Sequence, residues 1–168
     1  MTCKNLIIQR VALENVEEVV SYVLQARKKL FPMLDHGQLP RDLLAFAETY
    51  IHAPMGAFVE ARDEAGELVG VIGMMVYDGR FPFLDLETAD TVEVVRLYVN
   101  PQERRQGLAT ALFQALLTTA MAQGVSTMYL HTHPFLTGAY DFWLKCGFRT
   151  LDERSNGGFS TIHMQREV

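Results

Sequence analysis

A chain of 168 residues, 49% of them hydrophobic, has the size and apolar content of one domain spanning residues 1–168 around one core. Its net charge of −5 and the lack of any Lys/Arg-rich run exclude a protein built mainly to grip nucleic acid, which must neutralise phosphates. Two cysteines, a start without a long apolar leader core and no apolar run near the ~20 residues of a membrane span point to a soluble cytoplasmic chain with no disulfide.

Residues 6–11 read as a first strand, and residues 15–30 follow with Val16, Val19, Val20, Val23 and Leu24 at helical spacing. Pro40 opens a second amphipathic helix carrying Leu43, Leu44, Ala47 and Tyr50, which must end before Pro54. Residues 56–62 and 68–77 flank the turn Asp63-Glu64-Ala65-Gly66-Glu67 and make an antiparallel hairpin. Residues 78–90, with Gly79, Pro82 and four acids, read as a long loop placed to serve as a substrate-facing lid. A fourth strand covers 91–99, a helix about 105–123, a fifth strand 125–132 and another helix about 136–145. Residues 148–152 and 159–165, separated by Ser155-Asn156-Gly157-Gly158, close the chain as a hairpin. The fold class is therefore α/β, with a mixed, mostly antiparallel sheet whose fourth and fifth strands, joined through a helix, are parallel.

The most informative stretch is the passage from strand four through Arg104-Arg105-Gln106-Gly107-Leu108-Ala109 into an alanine- and leucine-rich helix that continues with Thr110. A helix start offers unpaired N–H groups and partial positive charge, the small residues admit a bulky anion, and two arginines add full charge. Neither a Walker loop nor a dinucleotide fingerprint occurs in the chain. The pattern Arg/Gln-x-x-Gly-x-Gly/Ala after a strand resembles the GNAT superfamily of acyl-CoA-dependent N-acyltransferases. The resemblance extends upstream through Glu93 and downstream to Cys146-Gly147-Phe148-Arg149. It implies acetyl-CoA as acyl donor, strands four and five splayed around it, and a small-molecule or peptide amine as acceptor, and it is compatible with a homodimer.

On the same resemblance, Leu97, Tyr98 and Val99 pair with the pantetheine arm, the N–H of Tyr98 or Val99 polarises the thioester, and Arg104, Arg105, Gln106, Gly107, Leu108, Ala109 and Thr110 hold the diphosphate. Glu93 stands where a glutamate takes the amine proton through water; a salt bridge to Arg96 or another neighbour is its structural alternative. Trp143 replaces the tyrosine that commonly protonates the leaving thiolate, and an indole N–H donates a hydrogen bond but no proton. Tyr140, one helical turn earlier, is the substitute acid to be tested against a packing role. The loss of that tyrosine keeps a second reading open, an acyl-CoA-binding regulatory module with little or no turnover.

His131 and His133 share one face of strand five, as bases near neutrality or as hydrogen-bonded strand-end residues, and they form no credible metal site. Met74, Met75 and Met121 suit core filling, while Phe31 and Met33 suit an acceptor pocket. Phe81, Phe83 and Leu84 beside Asp85, Glu87 and Asp90, together with the overall negative charge, suit an amphipathic cationic substrate or a dimer contact.

Overall fold

The computed structural model describes residues 4–168; Cys3 lies outside the described residues. Seven strands form one sheet in the order β1-β2-β3-β4-β5-β7-β6: β1 Ile7–Arg10, β2 Ala57–Arg62, β3 Leu68–Val76, β4 Thr91–Val99, β5 Thr127–Thr132, β6 Arg149–Asn156 and β7 Phe159–Glu167. Every neighbouring pair is antiparallel except β4 with β5. Helix α1 spans Val16–Leu30, α2 Arg41–Leu44, α3 Leu108–Ala122 and α4 Ala139–Lys145.

Helix α1 buries Val19, Val23 and Ala26 on one stripe, with Glu17 and Glu18 in its first turn and Arg27, Lys28 and Lys29 in its last, as its dipole favours. The side chains of β2 and β3 alternate between two apolar clusters, one on each face of the sheet. Leu112, Phe113 and Leu116 of α3 fill the first; Val19 and Val23 of α1, with Phe46 and Tyr50, fill the second. Gly73 is fixed by this packing, because a Cβ there would lie 2.6 Å from the Phe58 ring.

Several boundaries differ from the sequence reading, each for a local reason. The second helix is broken: α2 stops at Ala45 (ψ 43°), and a wide π-type turn covers Ala47–Ile51. That widening accompanies a three-ring cluster of Phe46, Tyr50 and Phe58 with centroids 4.8 to 4.9 Å apart. Helix α3 begins at Leu108 rather than near Arg105, because Arg105 (φ 63°) and Gly107 (φ 82°) are left-handed and cannot continue a helix. Left-handed Gly138 likewise delays α4 to Ala139. The last hairpin turns on Gly157-Gly158 alone, both at positive φ, so β6 runs to Asn156 instead of ending at Asp152. Among the described residues no helix is long and apolar enough to cross a membrane.

Candidate active site

Strands β4 and β5 pair only where Thr91, Val92 and Glu93 face Thr127, Met128 and Tyr129. Beyond Glu93 they part. On the other edge of β4 the register with β3 slips between Val71 and Gly73, and Arg96 adopts φ 61°. A bulge of this kind bends its strand, here accompanying the opening towards β5. The left-handed arginine is held in place by Asp42, with Nη2 donating to Oδ1 at 2.7 Å and Nε to Oδ2 at 3.1 Å. The Tyr50 hydroxyl donates to the same carboxylate at 2.6 Å. Burial opposes ionisation of Asp42, but the Arg96 and Tyr50 hydrogen bonds outweigh it and hold the carboxyl below its usual range.

The gap between the strands is a cleft of about 440 Å³. Residues 93–98 of β4 form one wall and residues 130–133 the other; Trp143 and Ala139 of α4 border it, as do Arg27 and Phe31 at the end of α1. Glu93 is 1% exposed, and its carboxylate accepts from both terminal nitrogens of Arg80, at 2.5 and 2.8 Å. His131 Nδ1 lies 3.6 Å from the same carboxylate and has no hydrogen-bond partner among the described residues. Burial first, then the nearby Arg80, His133 and His163, hold its pKa down to about 4, so the ring is neutral at pH 7.

Behind His131, burial lowers the His163 pKa and raises that of the Tyr129 hydroxyl, and the two groups share a hydrogen bond between the hydroxyl and His163 Nδ1 at 2.6 Å. Phe81 packs against Tyr129, His131 and His163. The loop before β4 is thus folded onto the site through Arg80 and Phe81.

At the far end of β4 the chain passes through Pro101–Glu103 and the left-handed Arg105 into α3, with Gly107 as N-cap. A Cβ on Gly107 would meet nothing within 4 Å, so the space over the helix start is open. The first N–H groups of α3 face that space without intrahelical acceptors, as at any helix start. A strand that leaves its parallel neighbour and then delivers a bare helix N-terminus has the chemistry to receive an anion such as a phosphate.

The profile of the acetyltransferase (GNAT) family matches residues 21–148, most of the chain. The chain belongs to the GNAT acetyltransferase family. It is 28% identical over 117 residues to N-acetyltransferase 8F1 of Rattus norvegicus, a match covering 69% of the chain and 49% of the relative, so the chain spans about half the length of that curated relative. A GNAT-family acetyltransferase from Staphylococcus aureus has the same fold, with TM-score 0.77 and 20% identity over 97% of this chain and 99% of that one. So has the PaiA N-acetyltransferase of Thermoplasma acidophilum in complex with coenzyme A, with TM-score 0.68 and 15% identity over 98% and 99% of the two chains.

Within this GNAT fold the sequence-predicted residues divide. Glu93, Leu97, Tyr98 and Trp143 border the cleft. Val99 packs into the α3-side core, and its carbonyl accepts from Arg104 Nε at 3.0 Å. Arg104, Arg105, Gln106, Gly107 and Thr110 are exposed and Ala109 half-buried around the helix start, while the Leu108 side chain is buried. Gln106 Nε2 donates to the Gln102 carbonyl at 3.2 Å, bracing the turn.

Tyr140 is not brought to the cleft: its hydroxyl sits 3.0 Å from Thr150 Oγ1 on the outer face of α4. Glu93 pairs with Arg80, and Arg96 pairs instead with Asp42. Phe31 and Met75 line the cleft, whereas Met33 and Met121 are 48% and 64% exposed, outside both the pocket and the core expected for them. His133 Nδ1 donates to the Ser160 carbonyl at 2.9 Å, which leaves Nε2 unprotonated in the neutral ring. Three cleft residues, Arg27, Asp42 and Arg80, had no signal in local sequence, because each is brought to the cleft by tertiary packing of a helix or loop.

Proposed function

We propose that this GNAT acetyltransferase moves an acetyl group from acetyl-CoA to a primary amine by direct attack, with both substrates bound together. The observation that carries the reading is that one strand, β4, borders the cleft where it parts from β5 and then leads to the open helix start at Gly107. Acetyl-CoA supplies an acetyl group already activated as a thioester. The N–H groups at the start of α3, with Arg104 and Arg105, hold the diphosphate. The β4 backbone at Leu97, Tyr98 and Val99 runs along the gap where the pantetheine arm pairs, and the N–H of Tyr98 or Val99 steadies charge developing on the acetyl oxygen.

The amine comes from the α1 and α2 side, where Glu93, His131 and Met75 face the cleft. Glu93 takes the amine proton through water; each of its oxygens keeps a lone pair beyond the bond to Arg80. Neutral His131 stands beside that carboxylate as a second acceptor for the relay. Trp143, packed between Phe113, Phe142 and Phe148, shapes the sulfur end without giving up a proton. The thiolate therefore leaves to solvent. Holding both reactants in line is itself worth up to ~7 to 11 kcal/mol of barrier.

Calorimetric titration with acetyl-CoA, CoA and ATP, followed by a thiol-release screen over amines, tests this. Saturable binding of both CoA forms but not ATP, with thiol release on addition of an amine, is the expected result. Absence of CoA binding would remove the cofactor assignment. Tight binding with no release on any amine would favour the regulatory module instead.

A further inference from the structure

Five charged side chains line the cleft, and four of them cancel: Arg80 pairs with Glu93, and Arg96 with Asp42. Arg27 is the fifth, and it has no carboxylate partner among the described residues. Its Nη1 donates to His36 Nδ1 at 3.1 Å and to the Asp35 carbonyl at 3.4 Å, while His36 Nε2 donates to the Phe31 carbonyl at 2.9 Å. Because Nδ1 accepts and Nε2 donates, this is a neutral imidazole. The guanidinium is therefore positioned by neutral acceptors, which leave its charge uncancelled and its remaining N–H donors free.

Arg27 also stands at the right end of the cleft for an acceptor. Phe31, one turn later, meets the His133 ring edge-on at 5.9 Å, and His133 meets His131 at 5.8 Å, so this wall leads from Arg27 back to Glu93. Between them the surface is apolar, with Val23, Leu30, Val71 and Met75. A polycationic amine would place a second positive charge against Arg27 with no carboxylate left to receive it. An amine bearing an acidic group meets a partner at both ends.

Resting on the acetyltransferase reading above, we infer that the acceptor is a small amine of amino-acid type carrying its own anionic group, with Arg27 as the residue that binds that anion. Two terminal donors of a guanidinium match the two oxygens of a carboxylate. A cleft of about 440 Å³ that also admits the pantetheine arm leaves room for one small molecule. The overall negative charge of the chain, which leans towards a cationic acceptor, is thus overridden locally by the charge of the site.

The test compares matched acceptors in which an apolar chain separates the amine from the carboxylate, 6-aminohexanoate with pentylamine and 8-aminooctanoate with heptylamine, by thiol release from acetyl-CoA, with acetyl-CoA binding followed calorimetrically in each preparation. The carboxylated member of each pair is expected to have the higher kcat/KM by about 10- to 100-fold, the span of a charge-assisted hydrogen bond. In Arg27→Gln that ratio collapses towards one, mainly through KM, and Arg27→Lys restores part of it. The exposed neighbour variant Lys28→Gln keeps the wild-type ratio. Preference for the uncharged amines, or an unchanged ratio in Arg27→Gln, overturns this inference while the acetyltransferase reading stands. Loss of acetyl-CoA binding in the wild-type chain overturns both.

Discussion

Both oxygens of Glu93 lie on the guanidinium of Arg80, at 2.5 and 2.8 Å, although one residue is on a central strand and the other in the loop before it. The carboxylate is buried and the arginine is 36% exposed, so the pair ties the loop to the floor of the cleft. Arg80→Leu leaves the carboxylate buried without a partner. It is expected to cost about 2 kcal/mol, less than a fully buried pair because of that exposure. Adding Glu93→Gln should return most of the loss, since no charge is then stranded. Urea denaturation of the single and double variants decides this; a double variant no more stable than Arg80→Leu would mean the two residues are not coupled.

The catalytic assignment separates Glu93 from Tyr140. Glu93→Gln should lower kcat by about 10²- to 10⁴-fold, the usual contribution of a positioned proton acceptor, with acetyl-CoA affinity little changed. Tyr140→Phe should leave kcat within about twofold, because a hydroxyl bonded to Thr150 outside the cleft is out of reach of the sulfur. A large fall in kcat for Tyr140→Phe would return it to the role of acid.

What the sequence disclosed is what depends on local pattern. The strands, the helix after the Arg104 to Ala109 turn and the parallel pair follow from periodicity, turn residues and connection length, and the structure agrees. Glu93 was legible through the resemblance, since it stands on strand four where GNAT relatives carry a glutamate. Arg80, Asp42 and Arg27 were not, since each reads as an ordinary polar residue of a loop or helix until packing brings it to the cleft. The break after α2 was hidden for the same reason: apolar spacing through Tyr50 fits a continuous helix, and only the Phe46, Tyr50 and Phe58 cluster with the Asp42 hydrogen bond shows the wider turn.

Gly107 separates backbone strain from ligand contact. At φ 82° any Cβ is unfavourable, but nothing lies within 4 Å of where it would stand. Gly107→Ala should therefore cost only about 1 kcal/mol in stability. If the diphosphate binds there, Gly107→Glu should cost a similar amount of stability yet weaken acetyl-CoA binding at least about 100-fold, through bulk and charge at the helix start. Melting curves report the first effect and calorimetry the second. Equal affinity in the Ala and Glu variants would move the diphosphate elsewhere.

Acid sensitivity should trace to His131. Its ring faces Arg80, Glu93, His133 and His163, its Nδ1 is buried without a partner, and burial with the neighbouring charges holds its pKa down to about 4. In the unfolded chain the same ring titrates near about 6.5. Between those values the unfolded state binds a proton that the fold refuses, so the contribution is fully present above about 6.5 and is lost as pH falls towards 4. From about pH 7 to about pH 5 the loss should be about 2 kcal/mol. His163, also lowered by burial, acts in the same direction; Asp42, held below the usual carboxylate range, adds its loss only at lower pH. His131→Gln removes the titrating group, so its stability should fall by about 2 kcal/mol less over the same interval. Denaturation at the two pH values, in wild type and variant, checks the difference. An identical fall in both would mean that the folded protein accepts the proton on His131, beside the Glu93 carboxylate that lies 3.6 Å away.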